Sequence, residues 1–163
     1  MKIVLQRTLN AKVIVEEKII GEIQRGILLF VGFCKEDQTK TFNDYQKIIQ
    51  KILLLRIFED ENQKMNYSVI DKQYQILIVS QFTLCADPYK GNRPSFTDAL
   101  GIKIAEDEFL KFVKLFKQEF QRLFEQKYTS NCNADNFIQQ GQFRADMKVH
   151  LINDGPVTFY LEF

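Results

Sequence analysis

Histidine is almost absent from this chain of 163 residues, which has one histidine and no tryptophan. A catalytic couple of serine or cysteine with histidine would therefore depend on His150 alone. His150 falls on the polar face of an alternating strand pattern, where we expect a surface residue rather than a base. No His, Cys, Asp and Glu residues have the spacing of metal ligands, so the sequence predicts neither a metal nor another cofactor.

Cysteine is sparse as well. Cys34, Cys85 and Cys132 lie far apart in the chain. They are odd in number and have neither metal-ligand spacing nor the spacing of a redox pair. We therefore expect three reduced thiols, as in a protein of the cytoplasm.

Long hydrophobic runs are missing too. The longest, Gly26–Phe33 and Ile52–Leu55, are far shorter than the roughly 20 residues that span a bilayer. The segment Met1–Arg7 becomes polar within a few residues, without the apolar run of a secretory signal. We expect a cytoplasmic protein with no membrane partner.

Charge of one sign is not in excess either, because the chain has 22 basic and 21 acidic residues and a net charge of +1. A general electrostatic attraction to nucleic acid is therefore excluded, and any nucleic acid would have to be held by a local basic patch.

The residues that are present predict one α+β domain over positions 1–163, with a mostly antiparallel, barrel-like sheet. Alternating or continuous apolar runs predict strands at Lys2–Arg7, Ala11–Glu16, Gly26–Phe33 and Gln75–Phe82. Apolar residues at helical spacing predict two main amphipathic helices, one containing Tyr45, Ile48, Ile49, Ile52 and Leu53, the other Phe109, Phe112, Val113, Phe116, Phe120 and Leu123.

The C-terminal part alternates most clearly. It predicts two strands, Phe143–Leu151 and Val157–Phe163, that bury their odd-numbered residues. The intervening Asn153–Pro156 is typical of a hairpin turn. Tyr128–Gln140 is rich in Asn and Gln and predicts an irregular surface loop.

Two segments are candidates for chemistry. In Ser80-Gln81-Phe82-Thr83-Leu84 a buried strand runs into polar side chains. Such a strand end can deliver hydroxyl and backbone N–H groups to a rigid, partly dry place, which suits oxyanion stabilisation. An ordinary strand end with Ser and Thr capping a turn explains the same residues, and spacing alone favours it. The segment is therefore a hypothesis only.

The second candidate is Asn153-Asp154-Gly155-Pro156. As plain structure it is a turn, with Gly155 supplying a positive φ. Pro156 cannot donate to a strand ladder, and an X-Pro bond can be cis at modest cost, which would aim two successive carbonyls the same way. The residues by themselves indicate a turn with an unusual backbone.

Taken together, Ser80-Gln81-Phe82-Thr83-Leu84 and Asn153-Asp154-Gly155-Pro156-Val157-Thr158 resemble the signature pair of the D-aminoacyl-tRNA deacylase family. Further segments resemble that family in the same order, so the resemblance covers essentially the whole chain: Val4-Leu5-Gln6-Arg7, Leu55-Arg56-Ile57-Phe58, Lys64-Met65-Asn66 and Gly91-Asn92-Arg93-Pro94-Ser95-Phe96.

The resemblance implies a homodimer in which a cis Gly155–Pro156 pair, flanked by Asn153 and Val157, enters the partner's active site. There its carbonyls would receive the α-amino group of a D-aminoacyl ester and leave no room for an L side chain. A glycyl ester, which has no side chain, would still be accepted. The implied substrate is aminoacyl-tRNA, and the products are a free D-amino acid, or glycine, and tRNA.

For Ser80, Gln81, Phe82 and Thr83 the resemblance implies a catalytic pocket for the terminal adenosine and the ester. Thr83 lacks an evident activating base, so we expect it to position and polarise while the 2′-OH of the RNA takes part in the reaction.

Three basic residues complete the implied site. The resemblance assigns Arg7 to holding the Gly155–Pro156 segment. Lys90 and Arg93, on a loop bracketed by prolines, are candidates for contacts with tRNA phosphates.

One residue departs from the family pattern, since Arg144 stands where the family usually has a small residue. Three alternatives stay open. They are a catalytically silent nucleic-acid-binding module on the same fold, a tRNA deacylase with relaxed chirality, and an esterase for small substrates that depends on Thr83.

Overall fold

The computed structural model describes residues 1–89 and 91–163, and its sheet is built around one long strand. This strand, β1 (Lys2–Val15), pairs antiparallel with both following strands, β2 (Lys18–Ile23) and β3 (Gly26–Gly32). Its N-terminal half lies against β3 and its C-terminal half against β2, on the same side. The two strands predicted at Lys2–Arg7 and Ala11–Glu16 are therefore one strand, because the chain stays extended through Thr8, Leu9 and Asn10 between them.

The sheet continues beyond β3 with parallel strands. β6 (Gln75–Ser80) pairs parallel with β3, and β7 (Ile138–Gln140) pairs parallel with β6. Between β3 and β6 in the sequence, β4 (Phe58–Glu59) and β5 (Met65–Tyr67) form a separate two-stranded sheet. The main sheet is thus mixed, with the order β2-β1-β3-β6-β7.

The predicted loop at Tyr128–Gln140 is wrong in its second half. Cys132, Ala134 and Ile138 are buried there, and β7 extends the sheet along the free edge of β6. A strand of three residues is too short to show a period in the sequence.

The last strand, β8 (Lys148–Glu162), pairs antiparallel with the other side of β1 along almost its whole length. The predicted hairpin is wrong, since no turn separates two strands here. Thr8 pairs with Asn153 and Gln6 with Thr158, so Arg7 of β1 stands opposite the four residues 154–157. These extra residues bulge out of a continuous strand. The odd-numbered residues of β8 are generally the less exposed ones, but only Val157 among them is buried. The predicted strand Phe143–Leu151 begins only at Lys148, because residues 143–147 form a turn and an irregular segment.

Two helices cover one face of the sheet, and the predicted α+β class is confirmed. α1 (Phe42–Leu53) begins with a capping box in which Thr41 and Asp44 exchange hydrogen bonds. α2 (Ile102–Tyr128) buries Phe109, Phe112, Phe116 and Phe120 completely. A smaller apolar cluster that includes Val13, Leu28 and Leu77 lies on the opposite face. No helix in the described part of the chain has the length and apolarity needed to cross a membrane.

Cys34 and Cys85 form a disulfide, with 5.6 Å between their Cα atoms. The expectation of three reduced thiols is therefore wrong for this pair, whereas Cys132 is free and buried. Because β3 and β6 run parallel, with Val31 opposite Ser80, their carboxyl ends lie side by side. Each cysteine follows one of these ends, and a sequence separation of 51 residues hides the pairing.

The two helices are joined by a polar contact at Glu119. This residue of α2 is only 4% exposed. Its carboxylate accepts hydrogen bonds from the Gln46 and Gln50 amides of α1, at 2.7 and 2.9 Å, and from Arg122 at 2.9 Å. Burial alone would raise the pKa of Glu119, but the bonds from Arg122, Gln50 and Gln46 outweigh it and lower the pKa.

We predict that Glu119→Gln lowers the free energy of unfolding by about 2 kcal/mol at neutral pH, because a buried charged acceptor is lost. The folded pKa is depressed, so the carboxylate contributes fully above its unfolded pKa and less as the pH falls through its folded pKa. The difference from the wild type should therefore shrink below about pH 4. Urea denaturation at several pH values measures it.

The matched control is Glu106→Gln, at an exposed position of the same helix, which should change stability little at any pH. A Glu119→Gln deficit that stayed constant down to pH 2 would contradict this account of Glu119.

Candidate active site

The carboxyl end of β6 runs straight into the first candidate segment. The N–H of Gln81 donates to the Val31 carbonyl at 2.8 Å, and a 3₁₀ turn over Phe82–Cys85 follows. A Cβ on Gly32 would lie 2.8 Å from the Gln81 carbonyl oxygen, so this close approach requires glycine. Cys85 is tied to Cys34, which also fixes the far end of the turn.

The turn leaves polar groups available at its start. No described residue accepts a hydrogen bond from the backbone N–H groups of Phe82 and Thr83, as expected at the first positions of a helical turn. The Thr83 hydroxyl is exposed and accepts a hydrogen bond from the Gln81 side-chain amide at 2.5 Å. Within the described chain this hydroxyl has no basic hydrogen-bond partner.

A cavity of about 660 Å³ opens beside this segment. Its lining is largely apolar and comes from four parts of the chain: Val79–Phe82, Phe96, Ala99–Ala105 and Phe143–Val149. The Phe82 and Phe96 rings lie 5.2 Å apart at its edge, and both are partly exposed. Ser80, Gln81 and Phe82 are thus brought to one cavity, and Thr83 follows directly after them.

Two charged residues also line the cavity, Arg144 and Asp146. The Asp146 carboxylate forms an ion pair with Lys148 at 2.9 Å. Arg144 has a positive φ of 63°, which is unusual for a residue other than glycine. The residue that departs from the family pattern therefore borders the cavity.

The second candidate segment forms a separate cluster around the bulge of β8. The Gly155–Pro156 peptide bond is cis, and both residues are exposed. Asn153 spans the bulge, since its Oδ1 accepts from the Val157 N–H at 2.8 Å and its Nδ2 donates to the Thr158 hydroxyl at 3.0 Å. The segment is therefore held in one shape while its tip faces outward.

Arg7 supports this cluster from the interior of the protein, where its side chain is nearly fully buried. Its Nε donates to the Asp154 carbonyl at 2.9 Å, and its Nη1 donates to the Ile57 carbonyl at 2.7 Å. The carboxylates of Glu59 and Asp154 lie 3.7 and 3.5 Å from the guanidinium. Arg7 thus joins β1, the start of β4 and the bulge.

The two clusters do not meet within one chain. None of Arg7, Asn153, Gly155, Pro156 and Val157 lines the cavity beside Ser80. Arg93 is exposed on its loop and belongs to neither cluster, and Lys90 lies outside the described residues.

His150 is exposed on β8 opposite Lys12, and it does not line the cavity. In the described chain no three His, Cys, Asp or Glu residues are grouped so that they could hold a metal ion.

Sequence reasoning missed most of the cavity wall. Phe143, Ala145, Met147 and Val149 were predicted to be the buried face of a strand, but residues 143–147 form a turn and an irregular segment. Their side chains line the cavity together with Arg144 and Asp146. Ile102 and Ala105, at the start of α2, also line the cavity, and nothing in the sequence pattern distinguished them as site residues. Phe96 stood in a segment of the family resemblance but had no assigned role.

Comparison with known proteins decides the family. A family model described as "D-Tyr-tRNA(Tyr) deacylase" matches residues 4–162. The chain belongs to this deacylase family. It is 43% identical over 162 residues to a D-aminoacyl-tRNA deacylase of Fusobacterium nucleatum, covering 99% of this chain and 95% of the relative. It is 44% identical to the D-aminoacyl-tRNA deacylase of Thermotoga petrophila, covering 99% and 97%.

Solved structures agree with this deacylase fold. One, a "c-Myc DNA Unwinding Element Binding Protein", matches with a TM-score of 0.80 and 39% identity over 100% of this chain and 99% of the other. A probable eukaryotic D-amino acid tRNA deacylase matches in fold, with a TM-score of 0.79 and 16% identity over 98% and 97%. The predicted family and the predicted enzyme class, an ester hydrolase, are confirmed. The individual site residues remain predictions.

We predict that Arg7→Lys lowers the free energy of unfolding by about 2–3 kcal/mol, because one ammonium cannot reach both the Ile57 and Asp154 carbonyls in the geometry of a guanidinium. Urea denaturation measures the loss. The matched control is Arg25→Lys, since Arg25 also pairs with Asp154, at 3.4 Å, but is half exposed. It should cost less than about 1 kcal/mol. Equal losses in the two variants would show that Arg7 has no special part in holding the bulge.

Proposed function

We propose that this member of the deacylase family hydrolyses the ester between a D-amino acid, or mischarged glycine, and the 3′ end of tRNA, and spares L-aminoacyl esters. The observation that carries the proposal is the cavity beside Ser80–Phe82, which adjoins two unpaired backbone N–H groups. The family match supplies the class of substrate.

The cavity suits the terminal adenosine of tRNA. An adenine ring can stack on an aromatic side chain, and the partly exposed pair Phe82 and Phe96 offers such a surface. Met147 and Val149 add apolar surface to the remainder of the cavity, against which a bound ester would be partly shielded from water. Stacking there would place the ester close to the start of the 3₁₀ turn.

Hydrolysis needs stabilisation of negative charge on the carbonyl oxygen. The free N–H groups of Phe82 and Thr83 are donors of the required kind. Water adds to the carbonyl carbon, the bond from that carbon to the ribose oxygen breaks, and the ribose oxygen takes up a proton. We assign the proton transfer to the neighbouring 2′-OH of the RNA, with Thr83 and Gln81 positioning the ester.

Selectivity requires a second copy of the chain. Gly155 and Pro156 face outward, away from the cavity of their own chain. Among the described strands β8 pairs with β1 alone, so its other edge is open to pairing with another chain. A two-fold dimer would deliver each Gly155–Pro156 pair, with Asn153 and Val157 holding its shape, to the partner's cavity. Its carbonyls would accept the α-amino group, and its backbone would exclude an L side chain.

We place this activity in the cytoplasm, where aminoacyl-tRNAs are made and used. The partners are then aminoacyl-tRNA and a second copy of the chain. A second candidate function is a silent nucleic-acid-binding module, which the DNA-binding name of one structural relative favours. The balanced charge of this chain gives that candidate no further support.

The test is hydrolysis of D-Tyr-tRNA, L-Tyr-tRNA and Gly-tRNA by the purified protein, with and without a chelator. We expect rapid loss of the D-tyrosyl and glycyl esters, survival of the L-tyrosyl ester, and no effect of the chelator. Loss of both tyrosyl esters would instead indicate a deacylase with relaxed chirality.

A Thr83→Ala variant serves as the control for mechanism in the same assay. It should keep most of its activity, because Thr83 is not the nucleophile. Abolished activity would favour the Thr83-dependent esterase, and no turnover by the wild type would favour the binding module.

A further inference from the structure

A second cavity of about 590 Å³ lies at the end of α1, and we call it the basic groove. Its charged lining residues are Lys47, Lys51 and Arg56, and Leu54 and Met65 supply apolar surface. No acidic residue lines it. The groove is thus a local basic patch of the kind that a chain with a net charge of only +1 would need to hold a nucleic acid.

The three cations of the basic groove are not held in ion pairs, although Lys47 is attracted electrostatically to the Asp44 carboxylate one turn before it on α1. Many basic side chains of this protein form ion pairs, such as Lys117 with Asp135 at 2.7 Å. In the described chain Lys47, Lys51 and Arg56 form none. Lys47 and Lys51 stand four residues apart on α1, a spacing at which like charges face each other and destabilise a helix. An anion seated between them would relieve that repulsion.

The nearest buried carboxylate does not neutralise the groove. Gln50, which also lines it, donates to Glu119 at 2.9 Å. Glu119 in turn is paired with Arg122 at 2.9 Å, so its charge is already offset. The groove therefore keeps its positive charge.

The chemistry of the groove fits a phosphodiester backbone. Lysine ammonium groups bind phosphate as point charges, and arginine can bind it through two parallel N–H bonds. Leu54 and Met65 are each about half exposed and offer apolar surface to a ribose between phosphates. Spaced cations with apolar surface between them match a nucleic acid strand better than a single small anion.

The position of the groove relates it to the tip of the bulge. Arg7 binds the Ile57 carbonyl and the Asp154 carbonyl at once, so Arg56 and Gly155 each neighbour a residue that Arg7 holds. The Arg56 end of the groove and the Gly155–Pro156 pair are therefore close in space, since the two backbone segments are bonded to one guanidinium. In the proposed dimer this pair enters the partner's cavity, which would bring the Arg56 end of the groove near that cavity.

We propose that the basic groove binds backbone phosphates of the tRNA whose 3′ end occupies the partner's cavity. The inference rests on the proposed function. It assigns tRNA binding to α1 of one subunit and the reaction to the other. Each tRNA would then contact both copies of the chain.

The test compares Lys47→Gln/Lys51→Gln with the wild type in binding uncharged tRNA over a range of salt concentrations. We expect the Kd to rise on the order of tenfold at low salt, and the slope of log Kd against log salt to fall by about 1.5–2. The kcat for D-Tyr-tRNA should change less than about twofold, because these lysines hold only the RNA backbone.

The matched control is Lys18→Gln/Lys114→Gln, which removes two exposed lysines from β2 and α2. Thermal unfolding of both variants checks that each is folded. The inference is overturned if the two double variants bind tRNA equally well. It is also overturned if Lys47→Gln/Lys51→Gln weakens binding of duplex DNA and leaves tRNA binding unchanged.

Binding and hydrolysis separate this inference from the function on which it rests. A wild type that binds tRNA through the groove but hydrolyses no ester would remove the proposed function and keep the RNA-binding site. A wild type that hydrolyses D-Tyr-tRNA, with Lys47→Gln/Lys51→Gln unchanged in Kd and KM, would remove the groove alone.

Discussion

One buried guanidinium, that of Arg7, makes the unusual C-terminal strand possible. β8 carries four residues opposite this one residue of β1, and such a bulge needs support from within the protein. Arg7 supplies it by bonding the Asp154 and Ile57 carbonyls, with two carboxylates close by. Burying a charge is costly unless it is paired and hydrogen-bonded, and here both conditions hold. The bulge and the start of β4 are both positioned by this side chain.

A second consequence is that the candidate site is divided. The pocket and its N–H donors lie at the carboxyl end of β6, and the outward-facing Gly155–Pro156 pair lies on β8. Among the described strands β8 pairs with β1 alone, and its unpaired edge would allow a second copy of the chain to complete the site. The Cys34–Cys85 disulfide fixes the turn that carries Phe82 and Thr83. A cytoplasmic protein would form such a bond only under oxidising conditions, so this pair stands in tension with the proposed location.

The helices, the buried strands and the family could all be predicted from the sequence, because each corresponds to a pattern or motif that extends over many residues. The phenylalanines of α2 repeat at helical spacing over four turns, and the two family motifs are each at least five residues long. Contacts that depend on topology could not be predicted. The pairing of Cys34 with Cys85 follows only from the parallel neighbours β3 and β6, and a three-residue strand such as β7 has no readable period.

The candidate site was predicted in its motifs but not in its walls. The alternation over Phe143–Val149 predicted a strand with one apolar face, but the strand begins only at Lys148, and Arg144 and Asp146 line the cavity beside the apolar residues. Asn153–Pro156 is typical of a turn, and it bulges instead because β1 is long enough to pair on both sides of it. In both cases contacts with residues distant in the sequence decided the structure.

The central claim is that one reaction site draws on two chains, and complementation between two inactive variants tests it most directly. One variant, Arg7→Ala, keeps its cavity but loses the support of Gly155–Pro156. The other, Ala145→Trp, fills the cavity and keeps that pair. If the site is shared, mixed dimers of the two contain one intact site and should regain about a quarter to a half of the wild-type rate on D-Tyr-tRNA, on simple counting of sites. Mixtures that stay as inactive as either variant, although dimers exchange, would contradict the account.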